Sequence, residues 1–431
     1  MPDREPHLLP ATELARLIEG GSLTAEAVVV SCLERIAARE PVVRAWAYLD
    51  REAALAEARA FDRAGKKLPL GGVPFGLKDI FDTAQMPTGY GSRIYTGWRP
   101  PWDASAAVLP RAAGGILVGK TVTTEFANRY PGPTSNPHDP ARTPGGSSSG
   151  SAAAVADFMV PLAVGTQTAG SVLRPAAYCG VVGFKPSFSL FPPAGMRINT
   201  EAFDTVGIMA RSVGDIALFR AAMAGIAYEA PAMPETAPRL GLCRGPHWDD
   251  ARPEGRAALE AAADRLAAAG VKVADAQLPA ECAGCDEYQR VIGSFEGLRN
   301  HMPELCRHEA LLSARLREEK IAFGRKLTLQ QFRDACRAAD KARRAAGAWA
   351  AGFDAILTLP APGEAPFGLG DTGSAIFNAI WTQLHMPCLT LPAGTGPNGL
   401  PLGVQLVGRR HADDRLLATA QWVEHRLGDM Q

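Results

Sequence analysis

Along the first 64 residues the pattern of apolar and polar positions reads as helix. Residues 11–19 and 24–39 form two such stretches; Gly20-Gly21 stops the first, and Ser22 or Thr24 can cap the second. Residues 50–64, rich in Ala, Glu and Arg, continue in the same spacing. The character then changes. Leu68 to Ile80 is an apolar, strand-like run punctuated by glycines and ending in the charged pair Lys78-Asp79, and Ile116-Leu117-Val118 reads as a buried strand. Helix and strand signals alternate from there, which predicts the α/β class.

Residues 129–151 are a long run of Pro, Gly, Ser, Thr and Asn that opens directly into the Ala-rich helix pattern after Ser151. Unstructured segments of that length are functional or disordered. The apolar strand Met159–Val164 beyond it argues for an ordered turn rather than a flexible linker. Residues 227–238, rich in Pro and Ala, mark a subdomain boundary. Residues 252–270 and 304–350 read as helical, and strand signals return at Ala355–Leu359 and Gly403–Val407. The pattern predicts one domain over 1–431 with a helical insert at 240–350.

Composition narrows the function classes. With 45 Lys plus Arg against 45 Asp plus Glu, the net charge is zero, so no general pull on nucleic acid or an anionic membrane is expected. Hydrophobic residues make up 47%, enough for a large core. The N-terminus, Met1-Pro2-Asp3-Arg4-Glu5-Pro6, lacks the basic and apolar regions of a signal peptide, and no apolar run is long enough to span a bilayer, so a cytoplasmic setting is expected. Eight scattered cysteines, at 32, 179, 243, 282, 285, 306, 336 and 388, suggest free thiols rather than a disulfide framework.

The chemistry is concentrated in two loops. Thr143-Pro-Gly-Gly-Ser147-Ser-Ser-Gly-Ser151 and Gly165-Thr-Gln-Thr-Ala-Gly-Ser171 each present serines on turns of small residues. Glycine permits close backbone approach, and successive N–H groups before Ser171 can converge on one point, as an oxyanion hole requires. A serine hydroxyl needs a neighbour to take its proton. Lysine can do so only when neutral, so its pKa must fall from about 10.4 toward neutrality. Lys78 lies in an apolar run, as that demands.

These residues resemble the amidase signature family. The likeness rests on Lys78 in Gly-Val-Pro-Phe-Gly-Leu-Lys-Asp, on the two serine loops, on Tyr178–Pro186 and Asp204–Ser212, and more loosely on Gly399–Arg409. It implies a mixed β-sheet sandwiched between helices and an acyl-transfer mechanism with neither metal nor organic cofactor. By the resemblance, Ser171 is the nucleophile, Ser147 the bridging serine after a cis peptide, and Lys78 the base. Backbone N–H groups of Thr168, Ala169, Gly170 and Ser171 are the implied oxyanion donors. Gln167 stands where many members carry Asp, and Ala169 where many carry Gly. The signature loops are most similar to malonamidase-like members, and with Arg174 they favour a small polar or carboxylate-bearing amide.

Arg174, Gly146, Gln167, Tyr130 and Trp381 are candidate substrate contacts. Arg174 serves equally well as a loop brace, and Phe126 is a further candidate wall. The partners expected are a small amide, no nucleic acid and no membrane, with a homodimer allowed. An amidotransferase component that releases ammonia to partner chains, or a carbamate, ester or urea hydrolase on the same triad, is the alternative; a non-catalytic module fits the intact Lys78, Ser147 and Ser171 poorly.

Three other signals carry less. Gly114–Thr121 matches the P-loop pattern, but helix precedes it and strand lies within it. Cys282-Ala-Gly-Cys285 is a lone CxxC, read as free thiols rather than zinc ligands. His138 and His385 lie near Gly- and Pro-rich loops, but neither adjoins a Gly-x-Ser-x-Gly elbow, so a Ser-His-Asp triad is not favoured.

Overall fold

A computed structural model describes residues 5–428; the first four residues, part of the reading against a signal peptide, lie outside it. Eleven strands form one mixed sheet: β1 (Trp46–Leu49), β2 (Pro74–Lys78), β3 (Ile116–Thr121), β4 (Leu162–Gln167), β5 (Val182–Lys185), β6 (Thr205–Ala210), β7 (Arg239–Leu242), β8 (Lys272–Asp275), β9 (Ala355–Thr358), β10 (Cys388–Thr395) and β11 (Pro401–Val407). Their order is β1-β3-β2-β4-β6-β5-β10-β11-β9-β7-β8. The β3, β2 and β4 strands are parallel, and β6, β5, β10 and β11 continue in antiparallel pairings.

Strand alternation splits the interior in two. Phe75, Leu77, Leu117, Leu162, Val164, Ile208 and Ala210 join one core with the helices Ala11–Glu19, Ser105–Ala112, Val213–Ala224, Pro253–Ala268 and Asp413–Leu427. Their neighbours Ile116, Val118, Ala163 and Met209 face the other way, onto the helices Ala25–Val43, Arg51–Ala64, Ser149–Ala156 and Leu173–Cys179. With both sheet faces covered, the central strands read as continuous apolar runs. Burying each large apolar side chain stabilises the fold by about 1.5–3 kcal/mol, so these two cores outweigh any single helix cap.

Local signals hold at several ends. Thr24, not Ser22, caps the second helix by accepting the Ala27 N–H at 3.1 Å, and that helix runs through Pro41 to Val43. Asp50 caps the third, and Gly65 ends it in the left-handed region.

Residues 240–350 are not purely helical. The β7 and β8 strands add a parallel pair to one end of the sheet, tying the segment to the main body. Each strand is only four residues long, and β8 is mostly exposed, so neither shows a strong alternating pattern. The remainder is chiefly the helices Pro253–Ala268, Cys285–Asn300, Met302–His308 and Leu329–Ala350, with a π-helical turn at Leu316–Ile321. The expected continuous helix from 304 breaks near Ser313, whose backbone N–H donates to the Glu125 carboxylate at 3.1 Å. A capping box at Thr328 and Gln331 begins the last helix. Among the described residues, no helix is long and apolar enough to cross a membrane.

Candidate active site

Lys78 is the last residue of β2, and Gln167 the last of β4. The candidate residues thus gather at the carboxyl edge of the parallel strands, where open α/β sheets place their ligands. The Gly/Ser run is no linker: Thr143 to Ser151 is buried throughout. Gly150 shows why it is built of small residues. A Cβ there would lie 2.2 Å from the Ala45 carbonyl oxygen, so the helix Ser149–Ala156 can approach β1 and β3 only without one.

Lys78 Nζ lies 2.7 Å from Ser147 Oγ and 2.6 Å from Thr166 Oγ1. Its side chain is 0% exposed, and burial holds its pKa well below the ordinary lysine range, with Asp204 pulling the other way. The Gly146–Ser147 peptide is cis. Ser148 ties the two turns together: its N–H donates to the Ser171 carbonyl at 3.3 Å, its hydroxyl donates to the Thr166 carbonyl at 3.2 Å and accepts the Thr166 N–H at 3.2 Å. Ser171 sits between β4 and the helix Leu173–Cys179, 8% exposed, its hydroxyl making no hydrogen bond to the described residues.

The turn before Ser171 is held from outside. Thr382 Oγ1 donates to the Ala169 carbonyl at 2.7 Å, and Gln289 Nε2 to the Thr168 carbonyl at 3.4 Å. Among the described residues, nothing accepts the backbone N–H groups of Ala169, Gly170 and Ser171. They are free for an incoming oxyanion.

The five candidate substrate contacts divide. Gln167 is buried, its Oε1 accepting the Val172 and Leu173 N–H groups at 2.9 and 3.1 Å and its Nε2 donating to Thr382 Oγ1 at 2.9 Å. It braces the turn. Arg174, 5% exposed, donates to the carbonyls of Gly146 and Gly373 and to Thr372 Oγ1, and burial lowers its pKa to about 10. These are the bonds a loop brace makes. Gly146 is thereby fixed through its carbonyl. Trp381 is 2% exposed, stacks on Trp349 with ring centroids 6.4 Å apart and packs in a core cluster that does not include Lys78, Ser147 or Ser171. It also lines a small cavity with Ile376, Phe377 and Ile380. Tyr130 is 50% exposed and free to meet a ligand, whereas Phe126 is fully buried.

The signals set aside stay apart from these residues. Lys120 lies in β3, where its Nζ donates to Asp79 Oδ1 at 2.9 Å and Thr88 Oγ1 at 2.7 Å, so no phosphate loop exists there. Cys282 and Cys285 are free and buried. A cleft of about 520 Å³ reaches Cys243 and Cys282, but Lys78, Ser147 and Ser171 do not line it. Among the described residues no group of three or more His, Cys, Asp or Glu side chains could hold a metal ion. His138 meets the Cys179 carbonyl at 2.9 Å, and His385 stacks on Phe188 with its pKa lowered to about 3 by burial. Neither contacts Ser171.

Three participants escaped the sequence reading: Thr166, Ser148 and Asp204. The first two lay inside the quoted loops without distinction from their neighbours. Asp204 carried a signal only as part of the resemblance.

The profile of the Amidase family matches residues 27–417. The chain is 32% identical to a glutamyl-tRNA(Gln) amidotransferase subunit of Salinispora arenicola (strain CNS-205) over 482 aligned residues, 97% of each chain. Over 225 residues it is 48% identical to the corresponding subunit of Acidothermus cellulolyticus; that alignment covers 50% of this chain and 45%, about half, of the relative's length. Among solved structures, an amidase superposes with a TM-score of 0.88 at 32% identity, covering 97% of this chain and all of that one. Fold and relatives together define the class, an α/β enzyme that cleaves carbon–nitrogen bonds. The chain belongs to the amidase signature family.

Proposed function

We propose that this enzyme hydrolyses the carbon–nitrogen bond of a small amide through an acyl-enzyme on Ser171. The observation that carries the reading is Lys78 Nζ at 2.7 Å from Ser147 Oγ, in surroundings that disfavour the ammonium. Ser171 Oγ attacks the carbonyl carbon as its proton passes to Ser147, whose own proton moves to Lys78 Nζ. The oxyanion accepts hydrogen bonds from the turn's N–H groups, Thr168 to Ser171. Collapse breaks the C–N bond, and the amine or ammonia departs with the proton returned from Lys78 through Ser147. Water then repeats the sequence on the acyl-enzyme.

A second reading has a specific support. Similarity along 97% of the chain to an amidotransferase component favours a protein that draws ammonia from a carboxamide and passes it to partner chains. Both readings use the same first step. Tyr130 is the proposed substrate contact that stands free, and Arg174 acts on substrate through the Gly146 carbonyl it holds. Eight unpaired cysteines suit a reducing, cytoplasmic compartment. A homodimer belongs to the free-amidase reading.

The test is labelling by a fluorophosphonate together with a screen of half-amides, aryl amides, glutamine, ureas, carbamates and esters. Labelling at Ser171 with amine or ammonia release is expected. No labelling of folded protein at any pH would overturn the proposal. Faster turnover of carbamates or esters would reassign the substrate class, and ammonia release that depends on co-purifying chains would select the second reading.

A further inference from the structure

One carboxylate stands between the turn that precedes Ser171 and the loop that the insert holds. Thr168 Oγ1 donates to Asp204 Oδ1 at 2.5 Å, while the N–H groups of Asn199 and Thr200 donate to Oδ2 at 2.6 and 3.1 Å. The antiparallel register explains the meeting. Gln167 pairs with Thr205, so the next residue outward on one strand, Thr168, faces the preceding residue on the other, Asp204. From this geometry we infer that Asp204 is a positioning residue of the reaction: it clamps Thr168 and supplies the fixed negative charge against which Lys78 takes up its proton. The inference rests on the acyl-enzyme reading above.

The charge argument follows from burial. When Lys78 accepts the proton it becomes an ammonium in a site without water contact, which is costly without a nearby opposite charge. The candidates for that charge are few. Asp79, next in sequence, is paired with Lys120 at 2.9 Å. Ser147 and Thr166, which touch Lys78, and Gln167 in the turn are neutral. Asp204 is the carboxylate whose charge favours the ammonium form of Lys78.

Asp204 is itself set by the insert. Lys320, on the π-helical turn, reaches Asn199 Oδ1 at 2.6 Å and Thr200 Oγ1 at 3.5 Å. Glu296 accepts the Ala202 N–H at 3.0 Å. Burial raises the Asp204 pKa, and the hydrogen bonds from Thr168, Asn199 and Thr200, with Lys320 behind them, pull it back toward the ionised form. Burial also lowers the Lys320 pKa to about 8 and raises that of Glu296 to about 7. The loop 199–204 is thus gripped between the nucleophile turn and the insert.

The experiment follows the rate of Ser171 labelling by a fluorophosphonate against pH, which needs no knowledge of the substrate. In wild type the rate climbs as Lys78 loses its proton. Asp204→Asn should move this acidic limb to lower pH by at least about half a unit and lower the plateau on the order of tenfold, because a lysine without its counter-charge is a weaker base. Thr168→Val should lower the plateau with the limb unmoved, separating clamp from charge. Circular dichroism checks the fold. Wild type that is not labelled defeats the acyl-enzyme reading itself. Labelled wild type with an unshifted limb in folded Asp204→Asn, or an equal shift in Thr168→Val, overturns this inference. Should Asp204→Asn not fold, an undiminished plateau in Thr168→Val overturns it alone.

Discussion

Gln167 and Val172 close the turn that carries Ser171: the amide oxygen of one accepts the backbone N–H of the other at 2.9 Å, and the Leu173 N–H joins it at 3.1 Å. The side chain at the end of β4 thereby fixes the start of the helix Leu173–Cys179 and the direction of the serine between them.

Gln167→Met keeps the shape and removes both acceptor bonds. Two buried N–H groups are then stranded, at about 1–3 kcal/mol each. Urea denaturation should show a loss in that range or above it, with labelling of Ser171 slowed. Unchanged stability would mean the turn holds without its brace.

The three central side chains have separable effects. Ser171→Ala should abolish turnover. Lys78→Ala should lose about two to four orders of magnitude at pH 7, the range of general-base assistance. Near-native rates in Lys78→Ala would require a base other than lysine.

Lys78 also couples stability to pH, and the sign is fixed by its depressed pKa. Between that folded value and about 10.4, the unfolded chain binds a proton that the folded chain does not, so stability from this group rises with pH. Below the window both states are protonated, and the full penalty of the buried ammonium applies. Lys78→Met removes the penalty. Its stability relative to wild type should therefore decline as pH rises through the window, by up to about 1.4 kcal/mol per pH unit. A difference that stays independent of pH all the way up to about 10 would contradict a buried neutral amine.

Arg174→Lys tests brace against substrate clamp. The ammonium cannot span the Gly146 and Gly373 carbonyls as the guanidinium does. As a brace, the change should lower kcat/KM on the order of tenfold for neutral and carboxylate-bearing amides alike. Loss confined to carboxylate-bearing substrates would assign Arg174 to the ligand.

The sequence made the parallel core and the site's location readable for a common reason. Two-sided burial writes β2, β3 and β4 as unbroken apolar runs, and a buried lysine ending one of them stands out. Thr166 did not stand out, because threonine is an ordinary strand residue and its contact with Lys78 exists only once β2 and β4 are adjacent. Asp204 depends on a register between strands 36 residues apart in its contact with Thr168. Trp381 is harder to read, because an aromatic near small-residue loops looks alike whether it faces a pocket or Trp349. β8 escaped because its four residues are mostly exposed, so burial writes no apolar run there, unlike the equally short but fully buried β9.

Ser148 joins both serine-bearing turns by three hydrogen bonds, so the attacking and relaying hydroxyls travel as one block. Evolution cannot retune either turn alone without dismantling the other. Among the insert's helices, Cys285–Asn300 reaches the rim of this block, where Gln289 donates to the Thr168 carbonyl.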